Sequence, residues 1–223
     1  MVGTWANVID VSGNVIGSIC PPTSNDALRL AHIFRNQFIS SSVMIRKTAI
    51  NPHLVFNETR NPYFSEDYDL WLRLLGKGTV ANIPEKLTSH RRLKSSRSQD
   101  DRGSLTKSAR QISAEWLVQN SKHFTSLEAA NSFVSSINGL DDLTINDRRS
   151  LINSRETYRK LLGELGINEK QTRFTELHSV IVCHKFHILI WSLLAKLPIR
   201  FQKFLFFLLS RFKSAKTIRY IWE

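Results

Sequence analysis

The sequence predicts an α/β fold over residues 1–98, followed by an all-helical extension. Two observations support this division. Runs rich in β-branched residues and bounded by turn formers occupy the first 20 residues and recur near residue 80, a pattern typical of strands. After residue 105, apolar residues recur at helical spacing. The chain has 223 residues, 42% of them hydrophobic and 22% charged, a globular composition that suffices for one sizeable core and an appendage.

Two short strands are expected at Thr4–Ile9 and Val15–Ile19, joined by the turn Asp10–Asn14. Both strands are rich in β-branched residues, whereas the segment between them contains Gly and Asn, which suit tight turns. The pattern therefore predicts a β-hairpin at the start of the chain.

A short amphipathic helix is predicted for Asp26–Phe34, with Ser24 or Asn25 as its N-cap. The next segment, Asn36–Arg46, is expected to be an apolar strand with a serine cluster at its centre, Ser40–Ser42. Two interpretations of this cluster stay open. The hydroxyls either form a polar bend within a buried strand, because serine readily bonds nearby backbone, or they lie near a binding site.

Residues 65–75 predict an amphipathic helix. Ser65 is a preferred N-cap residue, because its hydroxyl can accept a hydrogen bond from the first turn. Gly76 and Gly78 are typical of the end of a helix. One face combines a carboxylate with an apolar stripe that would be anchored in a core; it carries Asp67, Leu70, Trp71 and Leu74.

Acidic side chains crowd the first turn of this helix at Glu66, Asp67 and Asp69. The helix macrodipole favours negative charge there, so one interpretation is ordinary capping, which is common. The other is that Asp67 is a carboxylate held on rigid support at the open end of a helix. Fixed support of that kind suits a catalytic base.

The segments that follow favour the second interpretation. SEDYDLWLRLLGKG at 65–78, NIPEKL at 82–87 and HRR at 90–92 stand in this order. The series resembles the second half of the catalytic domain of family-two inverting glycosyltransferases, which have the GT-A (nucleotide-diphospho-sugar transferase-like) fold. In that family the helix is followed by a strand, an Ile-Pro-Glu turn and an arginine-bearing segment. Residues 1–98 would then be the acceptor-side half of a GT-A domain that lacks its N-terminal nucleotide-binding half.

The resemblance implies an inverting hexosyltransferase-type enzyme. It would transfer a sugar from a nucleotide-sugar donor to a carbohydrate or lipid-linked acceptor, in cell-surface polysaccharide synthesis. Asp67 would be the base that takes the proton of the acceptor hydroxyl, a role that an ionised carboxylate at a helix N-terminus can fill.

Other site residues follow from the same resemblance. Glu66, Ser41 and Ser42 would contact the acceptor. Arg91 and Arg92 would bind the diphosphate of the donor, because guanidinium groups pair well with phosphate oxygens. A solvated basic surface is the alternative interpretation of the two arginines.

The chain departs from the family pattern in several places. Leu93 stands where relatives often have a histidine, and residues 51–58 replace a Gly-Gly-Phe/Tyr-Asp-Glu segment. The family holds a divalent metal, Mn²⁺ or Mg²⁺, with an Asp-x-Asp motif in the nucleotide-binding half, so its ligands are expected outside this chain. We therefore expect a truncated reading frame, a fragment, or one half of a split enzyme, whose partner in the last case would be a separate N-terminal half. The alternative is a non-catalytic interaction module at a membrane surface.

Residues 99–177 are expected to form a linker and a helical region. The stretch 94–104 is polar and reads as the linker. Helices are predicted at 105–122, at 126–138 and from 144 to about 162. Three large side chains are expected to be buried there, Trp116, Leu117 and Phe133.

The tail, residues 178–223, is both apolar and basic. It holds eight Lys and Arg residues against one acid, and residues 88–110 hold seven against two, so these two stretches account for the net charge of +12. No apolar run in the tail reaches the roughly 20 residues of a transmembrane helix. Aromatics and leucines alternating with Lys and Arg suit a helix in the headgroup region of an anionic membrane. The alternative is a helical pair docked on the core.

Together with what the resemblance implies, these features predict a cytoplasmic protein that is peripheral on the inner face of the membrane. The two cysteines, Cys20 and Cys183, are far apart and predict inert thiols in a reducing compartment. Histidines at 178, 184 and 187 have a spacing that could mimic metal ligation on one helix face, but no metal site is expected there. Nucleic acid is not an expected partner, because no recognised nucleic-acid-binding signature is present.

Overall fold

A computed structural model describes residues 1–50, 56–57, 65–93, 102–138, 154–168 and 175–194. Within these residues the chain is mixed α/β, with a three-stranded sheet and six α-helices. It divides into two compact units, Met1–Trp116 and Leu117–Glu223. Most of the polar linker at 94–104, the departure from the family pattern at 51–58 apart from residues 56–57, and the tail beyond residue 194 lie outside the described residues.

The predicted β-hairpin is confirmed. Strand β1 (Val2–Ile9) pairs antiparallel with β2 (Val15–Ile19). The Oδ1 atom of Asp10 stabilises the turn between them, because it accepts hydrogen bonds of 2.9 Å from the backbone N–H groups of Ser12 and Asn14. Aspartate favours turns through bonds of this kind.

Strand β3 (Ala81–Arg91) completes the sheet in the order β2-β1-β3 and runs parallel to β1. Parallel neighbours require a long crossover. Helices α1 (Asn25–Phe34) and α2 (Glu66–Leu75) lie in that connection. The sequence predicted both helices. The carboxylate-bearing start of α2 is thereby placed in the crossover between the two parallel strands.

The turn expected at Pro84–Glu85 is an irregularity within one strand. Thr4 of β1 lies opposite Ile83, but the next residue, Trp5, lies opposite Lys86. Pro84 and Glu85 are therefore the extra residues of a bulge. Proline lacks the N–H that a regular ladder requires, so it is tolerated at such a position.

The strand predicted for Asn36–Arg46 is wrong. Ser40–Ser42 form a single 3₁₀ turn, a second one spans Lys47–Ala49, and within the described residues Met44 pairs with β1 only as an isolated bridge to Val2. The serine cluster explains the difference, because serine hydroxyls bond nearby backbone and compete with a sheet ladder.

Helix α2 is amphipathic as predicted, and its apolar side chains lie in the core of the first unit. Its start differs from the prediction. Ser65 occupies the N-cap position in a left-handed conformation with φ 63°, and its side chain makes no capping bond. The first unit ends at Trp116, within helix α3 (Arg102–Asn120). The core cluster contains Leu28, Phe38, Tyr68, Leu70, Trp71, Leu72, Leu74, Leu75, Val80 and Ile112.

The second unit is helical in its described residues. After the end of α3 it contains α4 (Leu127–Asn138), α5 (Ser154–Glu164) and α6 (Glu176–Leu194). The predicted helices at 105–122 and 126–138 are confirmed, and the third is confirmed from residue 154. Leu117 and Phe133 are buried as predicted, whereas Trp116 is only partly buried.

Helix α6, the described start of the basic tail, packs against α4 and α5. Ile181, His184 and Ile188 lie in this interface, and His184 Nδ1 is 2.8 Å from the hydroxyl of Tyr158. This contact gives His184 a structural role. Within the described residues, no helix is both long and apolar enough to cross a membrane.

The start of β1 is packed closely at Gly3. A Cβ atom there would overlap Asn82 Oδ1 and lie 3.0 Å from the ring of Phe38. Asn82 is only 3% exposed, and its Nδ2 donates to the carbonyl oxygens of Pro22 at 2.9 Å and Gln37 at 3.2 Å. The amide therefore has no simple way to move aside.

We predict that Gly3→Ala lowers the free energy of unfolding by about 1–3 kcal/mol, because overpacking forces its neighbours to shift. Gly17→Ala in β2 is the matched control, since a Cβ there meets only Val8 Cβ, at 3.8 Å. That variant should be as stable as the parent or slightly more stable. Urea unfolding of both variants measures the difference; equal stability would refute the packing argument.

Candidate functional site

The Asp67 carboxylate lies at the start of α2 and is held by donors from three residues. Its Oδ1 atom accepts a 2.7 Å hydrogen bond from the backbone N–H of Tyr68. Its Oδ2 atom accepts from Asn36 Nδ2 at 3.3 Å and from the hydroxyl of Ser40. Bonds to an ionised carboxylate are stronger than neutral ones. The carboxylate is therefore fixed in place while its side chain stays partly exposed.

Asp67 itself provides the capping that Ser65 was expected to provide. The N–H groups in the first turn of a helix have no partner within that helix, and the carboxylate satisfies the one on Tyr68. A carboxylate has about four acceptor positions. Among the described residues three are occupied, two on Oδ2 and one on Oδ1. As far as the described residues go, Oδ1 therefore retains a position for a hydroxyl of a bound molecule.

The orientation of Asn36 follows from its own turn. Its Oδ1 atom accepts a 3.0 Å hydrogen bond from the backbone N–H of Phe38, which leaves the NH₂ group to face Asp67. Sequence reasoning did not select Asn36 as a site residue. An asparagine two residues after a helix end is a turn signal, but that signal does not reveal what the amide faces.

The serine cluster reaches the site through Ser40, not through the two serines that were predicted. The hydroxyl of Ser40 is the one that meets the carboxylate. Ser41 is exposed. The hydroxyl of Ser42 donates to the carbonyl oxygen of Ile39 at 2.8 Å and accepts from the N–H of Thr4 at 3.2 Å, so it serves the turn.

Glu66 and Ser41 have exposed side chains beside this cluster. Glu66 precedes Asp67 directly in α2, and Ser41 follows Ser40 in the 3₁₀ turn. Both would be available to a molecule bound at the carboxylate. Their contact with an acceptor stays a prediction.

Arg91 lies at the end of β3 and supports the hairpin. Its Nη1 atom donates to the carbonyl oxygens of Asp10 and Val11, both at 2.9 Å. The backbone N–H of Arg92 continues the sheet by donating to the carbonyl oxygen of Ile9 at 2.8 Å. The side chains of both arginines are exposed.

The arginines and the Asp67 cluster lie at different levels of the sheet. Ser42, in the turn that carries the cluster, bonds Thr4 near the start of β1, whereas Arg91 pairs with Ile9 at its end. Ile9 is five residue steps along the strand from Thr4, about 16 Å at the usual rise. The structure does not bring Arg91 next to the carboxylate, and its diphosphate role stays a prediction.

Tyr68 supports the site from the core of the first unit. It is 1% exposed, and its single hydroxyl proton is shared between the carbonyl oxygens of His32 at 2.8 Å and Ile33 at 3.0 Å. The hydroxyl of Ser113 in α3 lies 2.8 Å away. Burial raises the pKa of Tyr68, and the bond to Ser113 offsets part of this. Tyr68 thus links α2, and with it Asp67, to the end of α1.

His32 is buried and neutral in the same layer. It is fully buried, and desolvation lowers its pKa from 6.5 to about 3, which the backbone of Tyr68 partly offsets. Its Nδ1 atom accepts a 2.9 Å hydrogen bond from the backbone N–H of Gln37. Sequence reasoning did not single out this histidine, because its position in α1 predicts only that it faces the core.

The Asp67 cluster does not fit a metal ion. Among the described residues, the groups that bond the carboxylate are N–H and O–H donors, whose hydrogens would repel a cation, and no second acid is in contact with it. Within the described residues no group of three or more His, Cys, Asp or Glu side chains could hold a metal. The divalent metal that the resemblance implies therefore has no ligands at this cluster.

Neither a family model, nor a curated protein, nor a solved structure matches this chain. The interpretation of the site therefore rests on the geometry around Asp67 and on the motif that surrounds it in the sequence.

We predict that acid destabilises the protein through His32. Above pH 6.5 the imidazole is neutral in both the folded and unfolded states, so its contribution to stability is fully present. As the pH falls from 6.5 to about 3, only the unfolded state takes up the proton. The free energy of unfolding then falls, by up to about 5 kcal/mol for a shift of this size.

Urea unfolding of the parent and His32→Leu between neutral and acidic pH measures this effect. The variant should lose less stability on acidification. Among described residues the titratable side chain in ring contact with His32 is Tyr68, which stays neutral over this range. Phe38→Leu, at the other ring contact, should lower stability equally at each pH. An unchanged pH dependence in His32→Leu would contradict the assignment.

Proposed function

We propose that this chain is the acceptor-side part of a family-two inverting glycosyltransferase with a GT-A fold. It would transfer a sugar from a nucleotide-sugar donor to a hydroxyl of a carbohydrate or lipid-linked acceptor, in cell-surface polysaccharide synthesis. The observation that carries the proposal is the Asp67 carboxylate. It is positioned by Asn36 and Ser40, supported from the core by Tyr68, and retains an acceptor position on Oδ1.

In the proposed reaction the acceptor hydroxyl attacks the anomeric carbon of the donor sugar in one displacement. The oxygen forms a bond to the anomeric carbon while Asp67 takes its proton. The bond from the anomeric carbon to the diphosphate oxygen breaks, and the nucleoside diphosphate leaves with the electron pair. The anomeric configuration is inverted, and Asp67 ends the step protonated.

The residues around Asp67 have separate tasks in this proposal. Asn36 and Ser40 keep the carboxylate in one orientation, which lowers the entropy cost of reaching the reactive geometry. Glu66 and Ser41, exposed beside it, would bind other hydroxyls of the acceptor. The nucleotide and its divalent metal would be bound by the nucleotide-binding half of such a domain, which residues 1–98 do not include. The diphosphate role of Arg91 has less support, because its guanidinium bonds the hairpin turn.

A second candidate function is a non-catalytic module at an anionic membrane surface. The observation that favours it is the outer face of α6, where Phe186 and Leu189 are 51% and 45% exposed. Lys185 lies beside them, at the start of the basic tail. Each basic residue near an anionic surface contributes about 1 kcal/mol to binding. Peripheral attachment to the inner face of the membrane is compatible with either function.

We predict that Asp67→Asn reduces sugar transfer by about 10²–10⁴-fold, because the amide cannot accept the proton. The side-chain oxygen of the new asparagine can still accept a hydrogen bond from the Tyr68 N–H, so the fold should be retained. Membranes from cells that express the full chain would be incubated with labelled UDP- or GDP-sugars and Mn²⁺, and label in the lipid and glycan fractions counted.

Asp26→Asn is the matched control, because Asp26 is the acid in the first turn of α1 and has no proposed role. It should leave transfer unchanged. Undiminished transfer by folded Asp67→Asn would remove the proposed base. The same assay separates the two functions, since transfer that falls in Asp67→Asn but not in Asp26→Asn favours the enzyme, whereas membrane binding by a chain that does not alter transfer favours the module.

The membrane candidate makes its own prediction. Phe186→Ser combined with Leu189→Ser should weaken binding of the full chain to phosphatidylglycerol vesicles by about tenfold or more, because two apolar side chains would no longer leave water. Co-sedimentation measures the bound fraction. Val11→Ser combined with Val15→Ser removes exposed apolar side chains from the hairpin instead, and should leave binding unchanged. Equal loss in both double variants would argue against docking through α6.

A further inference from the structure

We propose that His32 is a positioning residue that sets the direction of the Asn36 amide and, through it, the orientation of the Asp67 carboxylate. The geometric part of this proposal stands on the contacts of the first unit. The part that concerns catalysis rests on the proposed function of Asp67 as a base.

His32 forms a hydrogen bond with the turn that follows α1. Its Nδ1 atom accepts the backbone N–H of Gln37 at 2.9 Å. That N–H belongs to the peptide unit that joins Asn36 to Gln37. Because a peptide unit is planar, the bond fixes the plane on the C-terminal side of Asn36.

Asn36 connects this turn to the carboxylate of Asp67. Within the turn, Asn36 Oδ1 accepts the N–H of Phe38 at 3.0 Å, and Asn36 Nδ2 donates to Asp67 Oδ2 at 3.3 Å. The side chain of Asn36 can therefore reach the carboxylate only while the backbone of the turn keeps this conformation. Without the acceptor on His32, the peptide plane between Asn36 and Gln37 would lose the bond that ties it to α1, although Gln37 would keep the bond from Asn82 to its carbonyl oxygen.

The imidazole is itself held in one orientation. Its ring packs edge-to-face against Phe38 and Tyr68, with ring centroids 5.3 and 5.0 Å apart, an arrangement that aromatic rings prefer. Tyr68 also donates its N–H to Asp67 Oδ1. Both oxygen atoms of the carboxylate are thus connected to His32, one through Tyr68 and the other through Asn36.

The other ring nitrogen of His32, Nε2, makes a histidine at this position less favourable for stability than an apolar residue. An imidazole whose Nδ1 accepts a hydrogen bond carries its proton on Nε2. The Nε2 atom of His32 is buried and makes no hydrogen bond of regular geometry to any described residue, although the Tyr68 backbone acts weakly on the imidazole. An unpaired buried donor is destabilising, and a leucine of similar size would avoid that cost. The acceptor at Nδ1 is the property that leucine lacks.

Three variants of the full chain separate positioning from packing. His32→Leu fills the core but removes the acceptor. His32→Asn keeps an acceptor oxygen close to the place of Nδ1. Ser113→Ala disturbs the same layer, since Ser113 contacts the Tyr68 hydroxyl, but leaves the turn after α1 untouched.

Nuclear magnetic resonance supplies two readouts, the hydrogen-exchange rate of the Gln37 amide and the signals of the Asn36 side-chain amide. In His32→Leu we expect exchange at Gln37 to accelerate at least tenfold and the Asn36 signals to shift toward those of a solvated asparagine. His32→Asn should restore both, and Ser113→Ala should change neither even if it lowers the melting temperature. Unchanged readouts in His32→Leu, or equal changes in Ser113→Ala, would overturn the proposal.

A measurement on the parent protein covers the case in which His32→Leu does not fold. The ¹⁵N chemical shifts of the imidazole at neutral pH report which nitrogen carries the proton. Protonated Nε2 with unprotonated Nδ1 supports the bond to Gln37. A proton on Nδ1 would exclude Gln37 as a donor to it and end the proposal.

The transfer assay distinguishes this proposal from the function on which its catalytic part rests. If Asp67 is the base, His32→Leu should lower kcat while leaving the KM for the nucleotide sugar unchanged, and His32→Asn should recover much of the rate. If Asp67→Asn keeps full transfer, the proposed function fails, whereas the readouts at Gln37 and Asn36 still decide the positioning role. Normal kcat in a folded His32→Leu would remove the catalytic part alone.

Discussion

The buried hydroxyl of Tyr68 is the contact on which the first unit depends most. It ties α2 to the last turn of α1 through two carbonyl oxygens and meets Ser113 of α3. A hydroxyl with these partners can be buried without a penalty, whereas the same group without them would be costly. Since Asp67 is the preceding residue, whatever holds Tyr68 also holds the carboxylate. The core therefore decides the backbone position of the candidate base, while Asn36 and Ser40 orient its carboxylate.

Capping and catalysis are compatible at Asp67. An acid in the first turn of a helix is most simply explained by the N–H groups that need a partner there, and Asp67 does accept one from Tyr68. That bond uses one lone pair of Oδ1. Two further donors, Asn36 and Ser40, occupy Oδ2, an arrangement that capping alone does not require. The extra donors and the partial exposure of the side chain are what favour a functional site.

Helix α6 illustrates why an apolar, basic stretch is difficult to interpret. Its composition suits both a core helix and a helix at a membrane surface. The structure shows that one face, with Ile181, His184 and Ile188, packs within the second unit, while Phe186 and Leu189 on another face are exposed. Polar groups on the buried face have partners, as His184 has in Tyr158. The apolar character of the helix thus serves packing on one side and stays available on the other.

The sequence alone determined the local elements and the candidate base. Hydrophobic periodicity and turn residues located the hairpin, α1, α2 and most of the later helices, because these signals act between residues close together in the chain. They failed where tertiary contacts decide, at the serine turn of 40–42 and the bulge at Pro84. The same limit applies to the site. The helix start identified Asp67, but Asn36 and Ser40 lie about 30 residues away, and His32 is linked to them only through the packed turn. Which hydroxyl and which amide meet a carboxylate depends on how α1, the turn and α2 dock, and only the folded chain settles that.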